Sequence, residues 1–212
     1  MANSSIVGII VALIIGALGG YFISGVKSPS SSPTVKTSEL ATSQTNDQTQ
    51  STPPKTNDEK IANAMSAAPV AIAKDAAILD WPAKDGDSFP TLRAGTNEWT
   101  CLPDMPPSPG NDPICVDKAA MEWFGAYLAH KTPKLAQAGL GYMLQGASDA
   151  SNVDPYATGP KPGESWVSAP AHVMIFPSQK LDAKVYGTDP NSGGPWIMWA
   201  GTPYAHVMMP VK

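Results

Sequence analysis

The chain has 212 residues with 14 Lys or Arg against 18 Asp or Glu, a net charge of −4, and only 15% of its residues are charged. Residues 61 to 212 hold 10 basic and 14 acidic side chains with no basic run; such a surface repels phosphate backbones and excludes nucleic acid as a partner. The 22 prolines and 18 glycines favour short elements joined by turns and disfavour a long helical bundle.

From Met1 to Val26 no side chain is charged, and Ile6 to Ile23 is an apolar run of 18 residues. As a helix that run spans about 27 Å, which predicts a transmembrane anchor over residues 1 to 27, in the membrane from 6 to 26. A cleaved signal peptide is the alternative, but no pair of small residues in an A-x-A-like pattern follows the run. Gly8, Ala12, Gly16 and Gly20 recur every four residues. That ridge either lets two such helices approach and self-associate or reflects the commonness of Gly and Ala in spans.

Residues 28 to 57 contain 23 Ser, Thr, Pro, Gln or Asn and three apolar residues out of 30, so no core can form there and a disordered tether is predicted. Lys27 and Lys36 flank the span on its C-terminal side alone, which by the positive-inside rule would leave the rest of the chain in the cytoplasm. The uncharged Ser/Thr/Pro tether after a lone span argues the other way. It is the composition of an exported, anchored domain in the periplasm or on the cell surface, and the extracytoplasmic reading is preferred.

The globular part is expected over 58 to 212. DEKIANAMSAA has apolar residues at helical spacing up to Pro69, and AAILDWP reads as a short strand. TLRAGTNEWTCL reads as a hairpin turning at Ala94-Gly95-Thr96-Asn97. The clearest amphipathic helix runs over about 117 to 131, with Asp117 as N-cap, His130 and Lys131 in the last turn and Pro133 just beyond. Met121, Phe124 and Leu128 are its expected inner face, joined by Ala120 and Tyr127. AGLGYMLQ, AHVMIFP, WIMWAG and YAHVMMPV follow as strands, the last two joined as a hairpin through Gly201-Thr202-Pro203. Short strands with one packed helix predict an α+β domain with a small, mainly antiparallel sheet.

The blocks WTCLPD, GNDPIC, GYMLQGASDASNVDP and GGPWIMWAGTPYAH resemble those of a group of uncharacterised exported bacterial proteins, over about residues 61 to 212. The resemblance implies export and one domain, and assigns no catalytic residue.

The strongest internal pattern is a near-repeat, AHVMIFP at 171 to 177 and AHVMMP at 205 to 210. If both segments are strands, His172 shares a face with Met174 and His206 shares a face with Met208. On neighbouring strands these two imidazoles and two thioethers would converge into a site for a soft ion, above all copper as Cu(I). The plainer reading has Met as core filler and His as a hydrogen-bonded, partly buried residue. Either His could also serve a ligand or a reaction. His130, at a helix end, reads as a surface residue matched to the helix dipole.

Cys115 lies just ahead of the helix cap, where the dipole favours a thiolate that a strand His such as His172 could serve as base. The arrangement resembles the Cys and His of the NlpC-type cell-wall peptidases, although their Asp-Cys-Ser-Gly block is absent. Pairing of Cys101 with Cys115 is the simpler expectation in an oxidising compartment. The closed ring of 15 residues would stabilise by roughly 3 kcal/mol, less in practice because five prolines already restrict the loop.

The Asp149, Asn152, Asp154 cluster fits no calcium loop and reads as turn chemistry. With Trp196 and Trp199, expected on opposite faces of a regular strand, it could also line a ligand groove, although core packing explains the tryptophans as well. No hydrolase, nucleotide or zinc motif is present. The sequence therefore points to a membrane-anchored binding or envelope-structural domain, with a copper module and an envelope Cys-His hydrolase as rivals.

Overall fold

The computed structural model describes residues 52 to 211 apart from 85, 86, 106 and 107. The predicted anchor with its small-residue ridge, and the tether up to residue 51, lie outside the described residues. Among the described residues no helix is long and apolar enough to cross a membrane. Helix α1 (Asn57–Met65) starts from a capping box: the Thr56 hydroxyl accepts from Glu59 N, and the Glu59 carboxylate accepts from Thr56 N. Pro69 then precedes the one-turn α2 (Val70–Ala73), at a position where no backbone N–H is needed.

Strands β1 (Ala77–Leu79), β2 (Thr91–Arg93), β3 (Trp99–Leu102) and β4 (Ile114–Asp117) lead into helix α3 (Lys118–Leu128). After it come β5 (Gly139–Met143), β6 (Ala147–Asp149), β7 (Val167–Ala169), β8 (His172–Phe176), the single turn α4 (Ala183–Tyr186), β9 (Trp196–Met198) and β10 (His206–Pro210). Eight of these strands form one sheet in the order β2-β1-β3-β4-β5-β8-β10-β9, while β6 and β7 pair separately. All its pairs are antiparallel except β1 with β3. The α+β class with a mainly antiparallel sheet is what the structure shows, and the β9–β10 hairpin forms as expected.

The hairpin expected over residues 91 to 102 does not form, because β1 lies between its two arms. The turn residues instead carry the chain across the start of β1: Thr96 N and Asn97 N both donate to Asp75 O. A Cβ on Gly95 would lie 2.1 Å from Ala77 N, so only glycine allows this crossing. The turn chemistry was legible, but the strand it bridges over comes from earlier in the chain.

The two faces of the sheet carry separate cores. On one, the small residues Ala64, Ala67, Ala68, Ala73 and Ala76 of the α1–α2 region pack on Ile78 and the Cys101–Cys115 pair. On the other, α3 lies over a larger core that includes Val116, Met174, Phe176 and Met208. Asp117 caps α3 by accepting from Ala120 N. Gly139 of β5 brings the sheet against the front of that helix; a Cβ there would lie 2.5 Å from Ala120 N.

Helix α3 is rotated from the expected face. Trp123, 2% exposed, is its most buried large side chain, with Ala119 and Ala120 before it, while Met121, Phe124 and Tyr127 are only partly buried. Ala120, Trp123 and Tyr127 are spaced i, i+3, i+7, so one stripe of the helix accounts for all three. The helix also ends at Leu128, ahead of the predicted last turn, and His130 follows with a positive φ of 53°.

Candidate functional site

A cavity of about 320 Å³ lies on the α3 face of the sheet. Its floor comes from alternate residues of successive strands, among them Met143 of β5, Met174 of β8, Met198 of β9 and His206 with Met208 of β10. The register explains why they meet. Met174 is directly opposite Met208, and His206 directly opposite Met198, so the same strand parity faces α3 throughout. Helix α3 supplies one wall with Trp123, Phe124 and Tyr127, and Ser108, Asp112, Ser148 and Asp149 supply a polar one. Met105 and Tyr156, both substantially exposed, also line it and mark its open side.

His206 is boxed by rings, with Trp123 at 5.5 Å, Phe176 at 5.3 Å and Trp199 at 5.1 Å between centroids. Its Nδ1 lies 3.0 Å from Tyr204 O. A carbonyl oxygen can only accept, so Nδ1 carries the hydrogen and Nε2 keeps its lone pair. Burial lowers its pKa to about 4, which keeps the ring neutral at ordinary pH.

His172 repeats this local geometry, since its Nδ1 lies 2.7 Å from Pro170 O and burial lowers its pKa to about 4 as well. The repeat in sequence is thus a repeat in structure: each His opens its strand and donates to the carbonyl two residues back. The cavity, however, includes only one of the two. His172 is opposed by Pro210 and Met143, not by the His206 row, and it does not line the cavity. Its Nε2 is buried without a hydrogen-bond partner. Of the four proposed metal donors, His206, Met174 and Met208 come together and His172 stays apart.

The polar wall is built around Asp112. Its carboxylate accepts from Ser108 Oγ, from Ser148 N at 3.0 Å and from Ser148 Oγ at 3.1 Å, and its own N–H donates to Asp104. Asp149, the next residue along β6, accepts from Ser151 N. Burial, ahead of every other cause, pushes the pKa of Asp112 and Asp104 up and takes Asp149 to about 6, the charge of Asp112 adding to the latter. Among the described residues the ion pairs are Lys60–Asp80 and Lys74–Asp75, so neither cavity aspartate has a cationic partner.

Trp196 and Trp199 are not on opposite faces. Trp199 follows β9 with a φ of 53°, a left-handed conformation unusual for a bulky side chain, and both rings enter the α3-side core. Trp199 lines the cavity and Trp196 does not. Asn152 holds them in place: its carbonyl accepts from Trp199 N and its side chain from Trp196 Nε1. Asp154 accepts from Tyr156 N in a local turn. No group of three or more His, Cys, Asp or Glu among the described residues is placed to hold a metal ion.

Cys115 and His172 are not brought together. Cys115 is bonded to Cys101 directly across β3 and β4, and its row continues through Tyr142 to Val173, the face opposite to that of His172. His130 stacks on Tyr156 at 4.2 Å and lines the cavity beside it.

Several lining residues were not singled out from the sequence. Met143 and Met198 share strand parity with Gly141 and Trp196, and Trp123 shares the Ala120–Tyr127 stripe, so periodicity carried a signal for each. Ser108, Asp112 and Ser148 left no such trace, since they meet only through the fold. In comparisons with protein-family models, curated proteins and solved structures, nothing matches this chain.

Proposed function

We propose that residues 52 to 211 are a binding module whose cavity under α3 takes a small, largely apolar molecule. The observation that carries this reading is the cavity itself, about 320 Å³ of space walled by aromatic rings and methionines with polar groups gathered on one side. Sites for small ligands have this composition, and unbranched thioethers adapt to the shape of what enters. Because Ala147 lines the space, Ala147→Phe should place a ring in it. Calorimetric titration of the full-length chain with indole should give a saturable isotherm that this variant abolishes while keeping the thermal midpoint. Absent binding, or binding unchanged in the filled variant, counts against the module.

The tether and the paired cysteines support an anchored, extracytoplasmic setting for this module, as in the exported proteins that its sequence blocks resemble. A membrane-impermeant reagent directed at a reporter cysteine beyond residue 60 tests that placement in intact cells. Labelling only after lysis would reverse it.

Soft-metal binding is the second reading, favoured by one detail. His206 donates Nδ1–H to a backbone carbonyl, the arrangement that orients metal-bound imidazoles, and it shares the cavity floor with Met174, Met198 and Met208. This set replaces the His172-containing one. Titration with Cu(I) should then show binding lost in His206→Phe and kept in His172→Asn. Affinity no tighter than micromolar would remove the metal.

A further inference from the structure

Asp112 and Asp149 both line the cavity, and its walls contain neither Lys nor Arg. Neither carboxylate has an ion-pair partner among the described residues. Asp112 is buried and Asp149 half-buried; carboxylates withdrawn from water without a counter-charge are costly, and proteins keep them where a proton, a metal ion or a ligand supplies the balance. A hard metal ion is a poor candidate here, because it needs more oxygen ligands than these residues bring together. The rest of the lining suits the apolar body of an organic cation. Phe124, Tyr127 and Tyr156 bring aromatic rings to the same space, and since Tyr127 and Tyr156 stack on each other and His130 covers Tyr156, they offer a ligand mainly apolar edge and surface. His206 is 3% exposed, lines the cavity, and has Nδ1 committed to Tyr204, so an unprotonated Nε2 is available as an acceptor for an N–H group.

The two aspartates play different parts. Asp112 is locked in place by Ser108 and Ser148, which take up its carboxylate oxygens. Asp149 is bonded through Oδ1 to Ser151 N in its own turn and is the carboxylate less committed to side-chain partners. We infer that the ligand of this cavity is an amine or ammonium compound with an apolar body, its charged nitrogen held at Asp149 and its body against the α3 rings and the methionine floor. This rests on the cavity being a binding site, and it names the chemical class of what binds.

Three probes of one shape separate the two claims: phenethylamine, its neutral analogue phenethyl alcohol, and its anionic analogue hydrocinnamate, titrated calorimetrically into the full-length chain at neutral pH. The amine is expected to bind roughly tenfold or more tighter than the alcohol, with the anion weakest. Asp149→Asn keeps an Oδ1 acceptor for Ser151 N, so the turn is retained, and the amine-to-alcohol preference should fall to about one. An alcohol that binds as well as the amine overturns the cationic ligand and leaves the binding site standing. Binding of none of the three overturns both, and a preference that survives Asp149→Asn overturns the inference.

Discussion

His172 and His206 lie on the same face of neighbouring strands but at opposite ends of their shared ladder, His172 opposite Pro210 and His206 in the row of Met198. Antiparallel pairing is the cause. Each His opens its own strand, so the strands that bring Met174 opposite Met208 hold the two backbone positions about four residues, or roughly 13 Å, apart along the ladder, although the charge of His172 still bears on His206. One repeat therefore yields a cavity histidine and a core histidine.

Both rings are buried neutral with a pKa of about 4 against an ordinary 6.5. A depressed folded pKa means that the unfolded chain binds more protons between these values, so stability is full above about 6.5 and is lost as pH falls towards 4. Asp149 has the opposite sign: raised to about 6, its contribution is full below 3.8 and is lost as pH rises through about 6. Urea unfolding across pH 4 to 7 should show His206→Phe flattening the rise with pH by on the order of 3 kcal/mol. Asp149→Asn should steepen the same rise, and equal slopes in both variants would contradict these assignments.

Trp123 touches more of the aromatic cluster than any single strand residue, stacking near Tyr127 at 5.6 Å and Trp199 at 6.2 Å. Trp123→Ala should cost about 3 to 5 kcal/mol in denaturant unfolding, while Met121→Ala, at a partly buried position on the same helix, should cost much less. A loss below about 1 kcal/mol at Trp123 would mean that α3 does not close over the sheet as described.

Cys101 and Cys115 are both 0% exposed and cross-strand neighbours. Replacing both with Ala should therefore destabilise by about 2 to 3 kcal/mol, with the proline-rich loop between them keeping the figure at the low end. Alkylation of the native chain without reductant should label neither sulfur. A freely labelled Cys115 would restore the case for a reactive thiol.

At Gly139 the space is closed by the backbone of α3, with Ala120 Cα 2.8 Å from where a Cβ would be. Gly139→Ala should lower stability by about 1 to 3 kcal/mol through displacement of the helix. The neighbouring Leu140, 40% exposed, should tolerate Ala with little change, and both are read from thermal midpoints.

Local signals were legible where a few adjacent residues decide the outcome. Asp117 caps α3, Gly201-Thr202-Pro203 closes the β9–β10 hairpin, and Cys101 meets Cys115 because β3 and β4 are joined by one loop. What could not be read was set by distant chain. Strand β1 enters between β2 and β3, which turn residues alone would have joined. Trp199 leaves strand geometry at a φ of 53°, which reverses the parity argument for its side chain. The cavity was half visible, since His206, Met174 and Met208 carried a strand pattern, while Asp112 enters the same space from the loop before β4, held there by Ser108, Ser148 and Asp104.

The binding site can be tested most directly at the methionine methyl groups. With those methyls labelled for nuclear magnetic resonance, titration of a neutral aromatic into the full-length chain should shift Met143, Met174, Met198 and Met208, which line the cavity. Met65, in the core on the far side of the sheet, and Met209, on the alternate parity of β10, should stay in place. Shifts at Met65 and Met209 without shifts on the cavity floor, or no shifts at any methionine, would contradict a ligand site under α3.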